Sequence, residues 1–195
     1  NLQHQPLNSE LFRIQNNQTT ELISNDMTNN LSWLKGKAYV DGSYEYAGEK
    51  LRTTLSLPLS YQSISYNDET KSVDKNLNRV FLNPSLSVKY QTSTENYVTA
   101  NYAFRNELGG LDDVYTGTIL KNYRSLFANN APISERKTHS TGAGFNFRRA
   151  MQMFFFNAGI NYSNTTLNTI SSFTLTNNIQ QRVVLPLVNY QQNFT

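Results

Sequence analysis

The sequence predicts an all-β chain, an antiparallel up-and-down meander with one apolar face, on three observations. From Lys37 onward apolar residues take alternate positions in stretch after stretch, the period of a strand with two unlike sides. The connections between stretches alternate between very short and long. The candidate strands also run to about the 9–11 residues that a tilted strand needs to cross a bilayer, against about 5–6 in soluble sheets. Together these form the pattern of a bacterial outer-membrane β-barrel, whole or as a partial segment.

The elements follow in order. Residues 1–30 are polar and rich in Asn and Gln, with an apolar island at Leu11, Phe12 and Ile14, and read as a weak edge strand followed by a loop. A strong strand over 31–47 places Ala38, Val40, Gly42, Tyr44 and Tyr46 on one face and Lys37, Asp41, Ser43 and Glu45 on the other. Gly48-Glu49 turns it into a strand whose apolar side is Leu51, Leu55, Leu57, Leu59 and Tyr61. A polar loop is expected over Asn67 to Asn76. The strand that follows alternates Val80, Leu82, Pro84, Leu86, Val88 and Tyr90 with Asn83, Ser85, Ser87 and Lys89. A sharp turn at 92–95 leads into Val98, Ala100, Tyr102 and Phe104.

The longest connection, 106–137, reads as an exterior loop. Ile119, Leu120, Tyr123, Leu126 and Phe127 recur there at helical spacing, which predicts a short loop helix. Strands resume across 138–190: Ala143, Phe145 and Phe147, a turn near Ala150, then Phe154, Phe156, Ala158, Ile160 and Tyr162, and two weaker candidates at 165–175 and 180–190. The whole of 1–195 is expected to be one β-barrel domain or a fragment of one. The short turns at Gly48, Ser93 and Ala150 would lie on the periplasmic side and the long connections outside.

Charge placement agrees with a lipid-facing side. A Lys or Arg there near the midplane would cost about 2–4 kcal/mol, and Asp41, Glu45, Arg52, Lys89 and Arg105 all fall on the opposite face. A soluble β-sandwich also keeps charge off its buried side, so periodicity alone leaves both open. Strand length, alternating loop length and tyrosines near strand ends (Tyr44, Tyr46, Tyr61, Tyr66, Tyr90, Tyr97) favour the barrel. Pro58 and Pro84 fall inside strands, where a lost ladder bond predicts a bulge, strand end or register change.

Composition bounds the function classes. Hydrophobic residues make up 38% with aromatics at 12% and mean hydropathy −0.54, which suits a wall that is greasy on one side only. No run approaches the roughly 20 apolar residues of a membrane-spanning helix. The absence of cysteine removes disulfides and thiolate chemistry. A net charge of +3 from dispersed Lys and Arg gives no nucleic-acid footprint. The chain starts at Asn1 and ends Asn193-Phe194-Thr195, which reads as a mature product or a segment of something longer.

The segment Leu82-Asn83-Pro84-Ser85-Leu86-Ser87-Val88-Lys89-Tyr90, with Asn122-Tyr123-Arg124-Ser125-Leu126 and Asn129-Asn130-Ala131-Pro132, resembles the outer-membrane β-barrel region of TonB-dependent-transporter-like proteins of Bacteroidetes. The resemblance covers about residues 31–162. It implies a piece of barrel wall in the bacterial outer membrane, serving nutrient uptake. Its implied partners are the lipid bilayer, the remaining barrel and plug segments, a surface lipoprotein and TonB. No plug, TonB box or preceding regulatory domain is present in these residues.

Chemistry has few footholds. His4 and His139 are the only histidines and neither has a partner at metal-ligand spacing. Glu107, Asp112 and Asp113 lack the spacing of a calcium loop, and helix capping is the plainer reading of the aspartates. Gly142 and Gly144 suit close strand packing rather than phosphate binding. The chain is therefore expected to be a non-enzyme with no cofactor and no metal. Tyr115, Tyr123 and Arg124 on the long loop are the candidate ligand contacts, because exposed rings stack on sugars and Arg pairs with anions. Tyr123 also fits the apolar stripe of the loop helix. The rival to the barrel is a soluble or surface-exposed β-sandwich binding carbohydrate or protein through its loops.

Overall fold

A computed structural model describes residues 1–10, 12–15, 18–21, 28–69, 72–114, 117–122, 124–129, 131–176 and 178–195, the side chains of 12–15, 18–21 and 176 excepted. The strands are β1 (Leu2–Glu10), β2 (Phe12–Gln15), β3 (Gln18–Glu21), β4 (Thr28–Ala47), β5 (Leu51–Asp68), β6 (Val73–Leu82), β7 (Ser85–Gln91), β8 (Tyr97–Leu108), β9 (Ile119–Asn122), β10 (Ser125–Asn129), β11 (Glu135–Arg149), β12 (Phe154–Leu167), β13 (Ile170–Thr176), β14 (Ile179–Leu185) and β15 (Asn189–Phe194). Strands take most of the described residues, against about 20–25% in ordinary soluble domains, so little remains that is not sheet.

The main sheet runs β1-β4-β5-β7-β8-β11-β12-β15, with β6 also on β5, and every pair in it is antiparallel. It is a meander in chain order, as the alternation predicts. It is not a closed barrel: its path ends at β1 and β15. A second sheet, β13-β14-β10-β9, contains one parallel pair, β10 with β14. β2 and β3 form a separate hairpin.

β6 and β7 are one strand interrupted at Asn83-Pro84. Leu59 pairs with Leu82 above the interruption and Ser56 with Ser85 below it, so the register carries through unbroken. The strand end expected at a proline occurs at Pro84, between β6 and β7, whereas a register change does not. Asn83 N–H donates to the Pro58 carbonyl (3.1 Å) and Phe104 N–H to the Pro84 carbonyl (2.9 Å). Each proline thus keeps its acceptor half of a narrow pair and lacks only the donor half, while pairs on both sides hold the strand straight.

Three short turns lie at one end of the sheet, closed by Ala47/Arg52, Gln91/Tyr97 and Arg149/Phe154, while the short β5–β6 connection, closed by Asp68/Val73, lies at the other. The row through Ala47 and Arg52 continues to Lys89, Thr99, Gly144 and Gly159. Relative to that row the second hairpin closes two residues further along the strand, at Gln91, and the third five further, at Arg149. Five residues of about 3.3 Å against four strand spacings of about 4.8 Å set the line of turns at about 40° to the hydrogen-bond direction. A strand tilt of about 35–45° is what a membrane barrel requires.

The unbroken register sorts side chains onto two faces. One carries Leu34, Ala38, Val40, Tyr44 and Tyr46 of β4, Leu51 to Tyr61 of β5 at odd positions, Val80 to Tyr90 at even positions, Val98, Tyr102 and Phe104, Phe145 and Phe147, and Phe154, Phe156, Ile160 and Tyr162. Among the described residues nothing packs over this face: Val40 is 71% exposed and Tyr44 65%. From Val80 to Tyr90 it spans about 33 Å along the strand, which at such a tilt gives a band about 25 Å tall.

The buried core lies on the opposite face, at the loop end. Leu31 and Trp33 of β4 and Ile64 and Tyr66 of β5 pack there with Val114, Phe127, Ile133 and Val184. Tyr66 is therefore a core residue, and Tyr97 sits under the Lys89 ammonium (4.0 Å) on the same polar side. Neither lies on the apolar face, where Tyr44, Tyr46, Tyr61 and Tyr90 stand.

Other expectations are corrected. Ile119–Asn122 and Ser125–Asn129 form β9 and β10 rather than a helix, and among the described residues no α-helix occurs. A nine-residue helix is marginal by itself, whereas β10 gains five paired positions with β14, too distant in sequence for a local pattern to register. The aspartates cap no helix: they lie in a single 3-10 turn, Leu111–Asp113, without a side-chain cap. β5 and β6 extend through most of the loop expected at Asn67–Asn76, leaving only 69–72 as connection. The edge strand expected in the first thirty residues is present as β1, whereas the loop expected up to Asn30 gives way to β4 at Thr28. At the other end β13 and β14 join the second sheet, and β15 alone returns to the first.

Candidate functional site

The polar face is the counterpart of the apolar one, built by the same alternation. Among the described residues it carries the cations Lys35, Lys37, Arg52, Lys75, Arg79, Lys89, Arg105, Arg136 and Arg148, and the acids Asp41, Glu45, Asp68 and Glu107. Nine cations against four acids leave the face positive. Two ion pairs lie on it, Arg52–Glu45 and Arg105–Glu107, both 3.6 Å and exposed, which contribute little to stability.

Three concave places occur on this side among the described residues, the one nearest the turns lined by Lys89, Gln91, Tyr97, Arg148 and Phe155. Midway along the strands, Lys35 and Lys37 of β4, Ser60 and Gln62 of β5, Asn83, and Arg105, Asn106 and Glu107 of β8 surround a hollow. Asn83 is held there by its amide oxygen, which accepts from Asn106 N–H (2.8 Å). Nearer the loop end a cleft of about 530 Å³ is lined by Tyr66, Lys75, Arg79, Leu108, Pro132, Ile133, Glu135 and Asn168. Asn168 orders its rim, accepting from Glu135 N–H (2.7 Å) and donating to the Ile133 carbonyl (3.1 Å).

The second sheet partly roofs the polar face through the shared core. Asn29 ties the layers together: its oxygen accepts from Gly117 N–H (2.9 Å) and its amide donates to Ser9 Oγ (3.0 Å). Gly117 is needed there, since a Cβ would collide with the Asn29 side chain and the Thr28 carbonyl. Over the Phe127 ring stand Lys121 and Arg182, each 4.9 Å from its centroid.

Of the residues expected to contact ligand, Tyr115 and Tyr123 lie outside the described residues. Arg124 is exposed in the β9–β10 turn, its backbone N–H bonded to Asn122 Oδ1 (3.0 Å) and its carbonyl accepting from Gln180 N–H (2.7 Å). It lines none of these concave places. Asp112 pairs with Lys121 (3.4 Å) and Asp113 accepts from Ser134 Oγ. His139 lies on the apolar face, its Nδ1 2.9 Å from the Tyr102 hydroxyl and its ring against Phe104. His4 bonds Ser32 Oγ (3.3 Å), far along the sheet from His139. Gly142 sits between Asn101 and Asn161 in one row, and a Cβ there would meet both amide oxygens.

Sequence reasoning did not single out Lys35, Lys37, Gln62 and Arg105 as a group. Their polar parity was legible, but their meeting in one hollow depends on registers across three hairpins. Compared with known proteins, the chain matches no family model, no curated protein and no solved structure.

Proposed function

We propose that this chain is wall of an outer-membrane β-barrel, of the TonB-dependent-transporter-like kind, serving nutrient uptake in the bacterial outer membrane. The observation that carries this reading is the uncovered apolar face: a continuous band about 25 Å tall, free of Lys, Arg, Asp and Glu between its tyrosine margins. In water such an area would drive aggregation, whereas in hydrocarbon it is the favoured surface. The tilt of about 40° supports the same reading.

The chain's part is geometric. Strands satisfy one another's backbone groups, apolar side chains anchor in lipid, and the second sheet narrows the polar side near the loop end. The edges left open along 38–47 of β4 and 154–160 of β12 require further strands in a membrane, because each unpaired backbone group in hydrocarbon costs several kcal/mol. Those strands, a plug, a surface lipoprotein and TonB are the partners of this reading. A β-sandwich needs a second layer on the apolar face, and no observation favours one.

The test is fractionation of the expressing bacterium followed by extraction. The chain is expected with the outer membrane, resistant to carbonate washing and soluble only in detergent. A folded monomer in detergent-free buffer would overturn the proposal.

A further inference from the structure

We propose that the hollow midway along the polar face is a binding site for an oxyanion, a solute bearing carboxylate or phosphate groups. As a statement about transported solute it rests on the uptake reading above, whereas the binding itself needs only the sheet.

The argument starts from the register. Lys35 and Lys37 lie two apart on one strand, so both point to the polar side, with roots about 7 Å apart. Gln62 pairs directly with Lys37, and Ser60 lies two residues further along the same face. Both are buried polar side chains, at 8% and 9% exposure, and they form the floor of the hollow. Arg105 closes the far wall from β8.

Charge then decides the ligand. The one acid in the lining, Glu107, is engaged by Arg105 at 3.6 Å. Among the described residues neither lysine has an acidic partner within 4.0 Å, and Lys37 has only the distant edge of the Tyr39 ring, 6.0 Å from its centroid. Two uncompensated ammonium groups beside hydroxyl and amide donors form a converging donor set for a carboxylate or phosphate, with charge-assisted bonds. The general excess of cations on this face raises the local anion concentration further. A neutral sugar offers the lysines no charge to pair with, and a cation would be repelled by them.

The experiment titrates the intact chain in detergent with sodium phosphate and sodium citrate, against choline chloride at matched ionic strength. Binding is read by calorimetry and by fluorescence of Trp33, the sole tryptophan, which is two residues from Lys35 on the same face. Citrate or phosphate is expected to bind and choline not to. Lys35→Gln with Lys37→Gln should weaken binding by about tenfold or more, Lys35→Arg with Lys37→Arg should retain it, and Lys50→Gln in the turn should leave it unchanged. Should the double variant misfold, the exposed Lys37→Gln alone gives the reading.

No anion binding by the folded chain, or binding that survives loss of both charges, overturns the site. Membrane location is measured separately. An outer-membrane chain that ignores citrate removes the hollow alone, and a soluble chain that still binds citrate removes the uptake reading alone.

Discussion

Asn83 donates its backbone N–H to the carbonyl of Pro58 across 3.1 Å, and Pro58 has no N–H to return. This one-sided bond sits in the middle of the sheet, between rows that pair normally on either side. Replacing Pro58 by Thr supplies the missing donor in a strand already held extended. Pro58→Thr should therefore raise the unfolding free energy by about 0.5–1.5 kcal/mol, read from urea titration in detergent. A loss of stability would mean that proline stiffness outweighs the ladder bond there.

Trp33 and Tyr66 pair across β4 and β5 and stack at 6.1 Å between centroids, with Trp33 1% exposed. They join the main sheet to the segments that roof it. Trp33→Ala should cost about 3–5 kcal/mol and loosen 109–134, seen as faster proteolysis of that connection than of the hairpins at the other end. Uniform proteolysis would show that the roof does not depend on this contact.

Asn29 holds Gly117 and Ser9 through opposite ends of one buried amide. Removing it strands a backbone N–H and a hydroxyl. Asn29→Ala should cost about 1–3 kcal/mol, and hydrogen exchange at Gly117 should accelerate while that at Leu57 stays slow.

The strands and their faces were legible because alternation is local: Val80 to Tyr90 announces both sides of the sheet without knowing its neighbours. The second sheet was not, since β10 meets β14 from about fifty residues away and its own residues fit a helical period as well as a strand. Pro58, which interrupts nothing in β5, was misleading for a related reason. A proline's cost is written in the sequence, but the pairs on both sides that absorb it are not. Nearness to strand ends groups Tyr66 and Tyr97 with Tyr44, Tyr46, Tyr61 and Tyr90, although their parity places them on the opposite face. The hollow was half visible, as polar parity on three strands. Its assembly needed the register.

Leu57 and Ser56 give the most direct measurement, because they are neighbours in β5 on opposite faces. Leu57→Arg places a charge in the middle of the apolar band beside Gly42 and Pro84, and Ser56→Arg places the same charge on the polar side. Reversible unfolding from lipid vesicles should show Leu57→Arg destabilised by about 2–4 kcal/mol and Ser56→Arg by less than about 1 kcal/mol. Equal costs at the two positions, or a Leu57→Arg chain that remains stable in the vesicles, would contradict a lipid-facing apolar side.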